Sequence, residues 1–402
     1  MSEGGRDTGP AREVREISDG VFWVGARDRD RRLFDGLIPL PQGTTYNAYL
    51  VRGTGRSALI DTVNPGFERE LEARVGRVAP LEGVDFVIMN HAEPDHAGAI
   101  PYVLERNRRA LLVATKRGAE MARVLYGVPE GRLRVVRDGE AIDLGGRSLR
   151  FIEAPMLHWP ETMFTYLVEN RILFPCDFFG LHTARGLYDD QVPELIPFAK
   201  RYFGEIMMPY REMGKKALER LRALDIAMIA PSHGPVHRSP RAIMEAYEAW
   251  TAGETREKVV VVYVSMWGST ERMVGAITEL LSSEGVEVAV HNLAAADIGE
   301  VAKDLVDSRG VVLGTPTVLG GMHPLALYAA SLVRALRPPL RYAVVLSSHG
   351  WAGGAVRQAA DVLGPAGLDI LGAVDVRGPP GAGDLKKVEE LGAVLAMRVR
   401  GG

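Results

Sequence analysis

Val259-Val260-Val261-Val262-Tyr263-Val264 runs directly into Ser265-Met266-Trp267-Gly268-Ser269-Thr270. The first six residues form a continuous apolar run, as expected of a strand buried on both faces of a parallel sheet. A helix pattern follows over Glu271–Glu284, with Met273, Val274, Ile277, Leu280 and Leu281 at helical spacing. Downstream, Val311–Leu313, Leu325–Leu336, Ala343–Ser347 and Ala355–Leu363 continue the alternation of strand and helix. This pattern predicts a doubly wound α/β domain with a parallel sheet. It begins where the pattern changes, near Thr251-Ala252-Gly253, which divides the chain into 1–252 and 253–402.

The loop at Ser265–Thr270 joins a buried strand to a helix N-terminus, where free N–H groups and the helix dipole favour an anion. It has neither G-x-G-x-x-G nor a Walker lysine, so neither a dinucleotide nor ATP is favoured. Ser265, Ser269 and Thr270 suit a monophosphate, with Met266, Trp267 and Gly268 completing the loop. Two later loops also follow strands: 314–321, with Pro316, Thr317, Leu319 and Gly320, and 347–354, with Ser348, His349, Gly350, Trp351 and Gly353. In open α/β sheets, ligands lie at the carboxyl ends of the strands, as FMN does in flavodoxin-like folds. Trp267 or Trp351 could pack near such a ring.

The first half carries short apolar runs bounded by turn residues. Val21–Gly25, Tyr46–Val51, Ala58–Asp61, Phe86–Asn90, Leu111–Thr115, Leu149–Ile152, Met163–Val168 and Ile226–Ala230 read as strands; Gly66–Val78, Lys116–Leu125 and Lys215–Leu224 read as helices. Sheets covered by helices are expected, in an α+β or layered α/β/α domain. After Phe86–Asn90 comes His91-Ala92-Glu93-Pro94-Asp95-His96, four potential metal ligands in six residues. A polar surface loop would explain that cluster alone, but the arrangement recurs. His158, Asp177 and His233 also lie just past apolar runs. The set suffices for two metals sharing a carboxylate. Zinc hydrolases of the related pattern carry H-x-H-x-D-H; here Glu93 replaces the second histidine, and the harder donor set suits iron.

These residues, with Gly43–Leu50, Arg201-Tyr202-Phe203 and Ala230–Pro235, resemble the flavodiiron proteins. The resemblance runs from about Gly20 to Leu395, FMN loops included. It implies a metallo-β-lactamase-like αββα sandwich followed by a flavodoxin-like domain. His91, Glu93 and His158 would hold one iron, Asp95, His96 and His233 the other, and Asp177 would bridge; family members differ in whether the residue at the His96 position reaches the metal. Tyr202 is either a hydroxyl near the irons or a structural tyrosine. Two positions depart from the family: Asp35 stands where many relatives have a histidine, and Phe178 where a smaller residue is common.

The implied activity is reduction of dioxygen to water, of nitric oxide to nitrous oxide, or both. FMN would relay electrons to the diiron site of a partner subunit in a head-to-tail homodimer or dimer of dimers. A rubredoxin, a flavin reductase or a reduced deazaflavin coenzyme could supply the electrons. The alternatives are a flavin-linked zinc hydrolase and a non-enzymatic flavodoxin-type carrier.

Composition narrows the field further. Lys and Arg number 48 against 51 acids, with no basic excess for nucleic acid. Arg27–Arg32 alternates in sign and reads as a solvated loop. Met1–Glu16 has no apolar leader core, and no apolar stretch reaches the roughly 20 residues that span a bilayer, so a cytoplasmic protein is expected. Cys176 is the only cysteine, which excludes an internal disulfide, a rubredoxin centre or an iron–sulfur cluster in this sequence. Its expected role is that of a small buried hydrophobe. His182, His237 and His291 have no ligand pattern and are expected to make ordinary hydrogen bonds.

Overall fold

The structure is a computed structural model that describes residues 14–401; the polar start of the chain, 1–13, lies outside the described residues. The chain forms two compact units. One comprises residues up to Phe34, Leu40–Ala199 and Met213–Glu245; the other comprises Asp35–Pro39, Lys200–Glu212 and Ala246–Gly402.

The first unit is built on a seven-stranded sheet whose strands run Arg15–Ser18, Val21–Trp23, Tyr49–Arg52, Ser57–Ile60, Phe86–Ile88, Leu111–Ala114 and Leu133–Val135 in spatial order. Side chains alternate across it. Tyr49, Val51, Ile60, Phe86 and Ile88 join Leu149, Phe151, Met163, Leu167 and Phe174 of a second, five-stranded sheet in one core. Leu50, Leu59, Val87 and Leu112 face the other way, against Leu71 and Val75 of helix Glu68–Val75, Ile100 and Val103 of helix Ile100–Arg106, and Ala122 of helix Lys116–Tyr126.

One expected strand, Tyr46–Val51, is two: Thr44–Tyr46 and Tyr49–Arg52. Asn47 causes the break. Its N–H donates to Ser232 O (2.8 Å), its side-chain amide donates to Pro231 O and Gly234 O (both 2.8 Å), and its Oδ1 accepts from Trp23 Nε1 (2.8 Å). Hydrogen bonds that a ladder would use are spent on the 231–234 loop.

The second unit is a parallel sheet in the spatial order Glu287–Asn292, Lys258–Tyr263, Gly310–Val318, Tyr342–His349, Asp369–Arg377, the doubly wound 2-1-3-4-5 arrangement. Val259, Val261, Val312, Val344 and Leu346 pack on helices Ser269–Ser283 and Ala382–Arg400. Helices Ile298–Leu305, Pro324–Leu336 and Ala355–Leu363 contact the same sheet. Among the described residues, no helix is long and apolar enough to cross a membrane.

Candidate metal centre and cofactor loops

His91 follows strand Phe86–Ile88, and Glu93 leads into the short helix Pro94–Ala97, which carries Asp95 and His96. His158, Asp177 and His233 follow Ser148–Glu153, Ile172–Phe174 and Met228–Ile229. The turn before His91 is rigid. Asn90 N–H donates to Asp61 Oδ1 (2.8 Å), Asn90 Nδ2 to Asp61 Oδ2 (3.1 Å), and Thr165 Oγ1 to Asn90 Oδ1 (2.7 Å).

All seven expected donors come together in two adjoining groups: His91, Glu93, His158 and Asp177, then Asp95, His96 and His233. Glu93 Oε2 lies 3.2 Å from His91 Nε2 and 3.0 Å from His158 Nε2. Asp95 Oδ2 lies 3.0 Å from His233 Nε2, and Oδ1 lies 3.4 Å from His96 Nε2. Asp177 faces both groups: Oδ2 is 3.6 Å from the Nε2 atoms of His91 and His158, while Oδ1 is 3.1 Å from His96 Nε2 and 3.5 Å from His233 Nε2. Donor atoms about 2.1 Å from one shared ion sit roughly 3.0–3.4 Å apart, close to this spacing.

The electrostatics also call for cations. Both Asp95 carboxylate oxygens and His96 Nδ1 are buried without a hydrogen bond among the described residues, a state that a buried carboxylate sustains only beside positive charge. Burial would raise the Glu93 carboxyl, but hydrogen bonds with His158 and His91 outweigh it and hold the group below the ordinary range. Burial would lower His96, yet Asp95 and Asp177 push it up to about 9. A field that attracts protons to imidazole nitrogens also attracts a metal ion.

Two tautomers are fixed from outside. His91 Nδ1–H donates to Glu161 Oε1 (2.7 Å) and His233 Nδ1–H to Thr45 O (2.6 Å), so both Nε2 lone pairs point inward. Glu161 was not among the residues singled out in the sequence, and Thr45, within the Gly43–Leu50 segment, was given no role there. His182 Nδ1 shares a hydrogen bond with Thr44 Oγ1 (2.9 Å), with its ring 4.7 Å from that of His233, so it lies beside the donors although no ligand spacing marks it. His237 Nε2 meets Phe179 O (3.0 Å) and His291 Nε2 meets Asp304 Oδ2 (2.9 Å), ordinary hydrogen-bonded roles. Cys176 is buried, accepting from Ser232 Oγ (3.4 Å). Phe178 is buried and stacks on Phe164, whereas Asp35 is exposed. Tyr202 is buried and belongs to the second compact unit, whereas the seven donors belong to the first.

In the second unit the three expected loops adjoin at the carboxyl ends of the strands. Thr270 Oγ1 and Ser348 Oγ share a hydrogen bond (3.0 Å), which ties the first loop to the third. Ser265 Oγ accepts from Gly268 N–H (3.1 Å), and Thr317 Oγ1 from Ala355 N–H (3.4 Å). A Cβ on Gly354 would meet Gly320 O at 2.1 Å, so only glycine lets the second and third loops approach. Gly353 closes on Asp375, whose Oδ1 pairs with His349 Nδ1 (3.0 Å). Trp267, Leu319 and Trp351 are almost fully exposed around this crevice.

Residues 44–234 match the family described as ODP family beta lactamase, and 261–392 match Flavodoxin. A nitric oxide reductase of Moorella thermoacetica is 36% identical, over 95% of this chain and 98% of its own length. The crystal structure of the flavodiiron protein from Giardia intestinalis is 30% identical, with a TM-score of 0.92 over 97% of both chains. The chain belongs to the flavodiiron proteins. A further flavodiiron-like structure, the rubredoxin oxygen:oxidoreductase of Desulfovibrio gigas, superposes with a TM-score of 0.94 at 29% identity, over 97% of this chain and 99% of that one. This flavodiiron protein is therefore an oxidoreductase with a metallo-β-lactamase-like domain and a flavodoxin-like domain, and its cofactors are FMN and a non-haem diiron pair.

Proposed function

We propose that this enzyme reduces dioxygen to water, nitric oxide to nitrous oxide, or both, in the cytoplasm. His91, Glu93 and His158 would hold one iron, Asp95, His96 and His233 the other, and Asp177 would be shared between them. The observation that carries this reading is Asp177 itself, whose two oxygens face two different histidine pairs. When bound, the irons store two electrons and offer open positions to a diatomic gas, and the flavin stores two more. The sum matches the four electrons that turn dioxygen into water; joining two nitric oxide molecules takes two.

The chain's own residues prepare that chemistry. Glu161 and Thr45 hold the His91 and His233 rings in the tautomer that directs Nε2 inward. Trp159 stands edge-on against His91, with ring centroids 5.0 Å apart, and shields it from water. Ser265, Ser269 and Thr270 would receive the FMN phosphate, and the 316–320 and 348–353 segments would line the rest of its site.

Each FMN serves the diiron site of the partner subunit in a head-to-tail homodimer, on which a dimer of dimers could be built. An external donor such as a rubredoxin, a flavin reductase or a reduced deazaflavin coenzyme fills the FMN. The name of the Moorella relative supports nitric oxide as a substrate, and that of the Desulfovibrio relative supports dioxygen and a rubredoxin donor. A zinc hydrolase is disfavoured by Glu93, which stands in the donor set where such enzymes use a histidine.

Protein produced with ample iron should contain one FMN and about two irons per chain; stoichiometric zinc without iron would overturn the proposal. Anaerobic rapid mixing of the reduced enzyme with each gas, followed at the flavin absorbance, separates the two substrates.

A further inference from the structure

We propose that Glu161 is a positioning residue for the iron held by His91, Glu93 and His158, and that its carboxylate makes that iron electronically unlike its neighbour. The proposal rests on the metal assignment above. Glu161 lies three residues after His158, and its side chain is 1% exposed. A single oxygen, Oε1, accepts from His91 Nδ1–H at 2.7 Å and from the Ala92 N–H at 2.8 Å. One carboxylate thus clamps the loop that carries His91 to the loop that carries His158.

The clamp is itself anchored. The Glu161 carbonyl accepts from Thr115 Oγ1 (2.9 Å), and the same hydroxyl oxygen caps helix Lys116–Tyr126 by accepting from Gly118 N–H (3.0 Å). Rotation of the His91 ring would break the short bond to Glu161, so Nε2 stays aimed at the space beside Glu93 and Asp177.

In the other donor set the Nδ1 contacts differ, and Thr44 Oγ1 also lies 3.2 Å from His233 Nδ1. His233 Nδ1–H donates to a neutral carbonyl, Thr45 O, and His96 Nδ1 is buried without a hydrogen bond among the described residues. A carboxylate acceptor draws the Nδ1 proton more strongly than a carbonyl does, which makes the ring a more basic ligand. The His91 iron should therefore be held more tightly and favour the ferric state more than the iron held by Asp95, His96 and His233.

The test compares wild type, Glu161→Gln and Glu161→Ala as holoenzymes. It reads iron retained against a competing chelator, the midpoint potential of the diiron couple and the EPR signal of the half-reduced pair, with FMN content and thermal unfolding as controls of folding. Glu161→Ala should weaken one of the two irons by about 10- to 100-fold. Glu161→Gln keeps an acceptor and loses the charge, so it should hold both irons within a few-fold, with a raised potential and an altered EPR signal. Wild-type affinity, potential and EPR signal in both variants would overturn the proposal. So would equal iron loss in both, accompanied by lower thermal stability, because that is a purely structural effect. Should Glu161→Ala fail to fold, an unchanged potential in Glu161→Gln decides against the proposal. A wild-type protein without iron would overturn the metal assignment itself, and that is seen before any variant is compared.

Discussion

Asp177 is the side chain on which the metal centre turns, because its two oxygens face different histidine pairs. Asp177→Ala should lower iron content and cut turnover by at least about 100-fold, while FMN, held by a separate unit, stays at one per chain. Full iron and wild-type turnover in that variant, by metal analysis and gas consumption, would remove the bridge assignment. In the flavin loops, Gly354→Ala should be equally specific. Its Cβ would press on Gly320 O, separate two loops and reduce FMN content without loss of iron, which flavin absorbance and metal analysis can check together. The seven candidate donors that the structure brings together were legible in the sequence, because they lie on segments that leave apolar strands, where a sheet presents side chains to a common rim. Glu161, Thr45 and His182 were not. Their roles are hydrogen bonds set by tertiary folding, and no spacing along the chain encodes them.

At the scale of elements, the turn Phe203–Met207 holds a pH response. Glu205 is nearly fully buried there, and burial, the largest influence, lifts its carboxyl to about 7 although Arg201 Nε donates to it at 2.9 Å. A carboxyl raised on folding keeps its proton longer in the folded state. Its contribution is therefore complete below about pH 4.5 and is lost as pH rises through 7. Glu205→Gln should flatten the stability profile between those limits and gain up to about 3 kcal/mol at pH 8, read by denaturant unfolding across pH. Arg201 would still have Asp297 and Glu300 as partners.

Element patterns were readable where burial is complete. Val259–Val264 and Ala343–Ser347 were plain in the sequence as continuous apolar runs. The edge strands Glu287–Asn292 and Asp369–Arg377 were not, because an edge exposes much of its surface and accepts a mixed sequence. The break at Asn47 was hidden for another reason: its partners in the 231–234 loop lie almost two hundred residues away.

At the scale of the whole molecule, electron transfer between subunits can be tested by complementation. One variant carries Asp177→Ala and the other Ser269→Ala with Thr270→Val, each inactive by itself. After subunit exchange, a heterodimer holds one intact flavin opposite one intact metal centre, and turnover should return. Exchange confirmed by mass without recovery of turnover would favour transfer within a single chain. Following that exchange in real time needs a reporter, and the protein's lone thiol bears on how one is attached. Cys176 is fully buried, and burial, ahead of the nearby carboxylates, pushes its thiol well above the ordinary range. The folded enzyme therefore offers maleimide dyes almost no target. A cysteine introduced at the exposed Val124 would take up label alone, giving fluorescence donor and acceptor populations with no need to delete the native thiol.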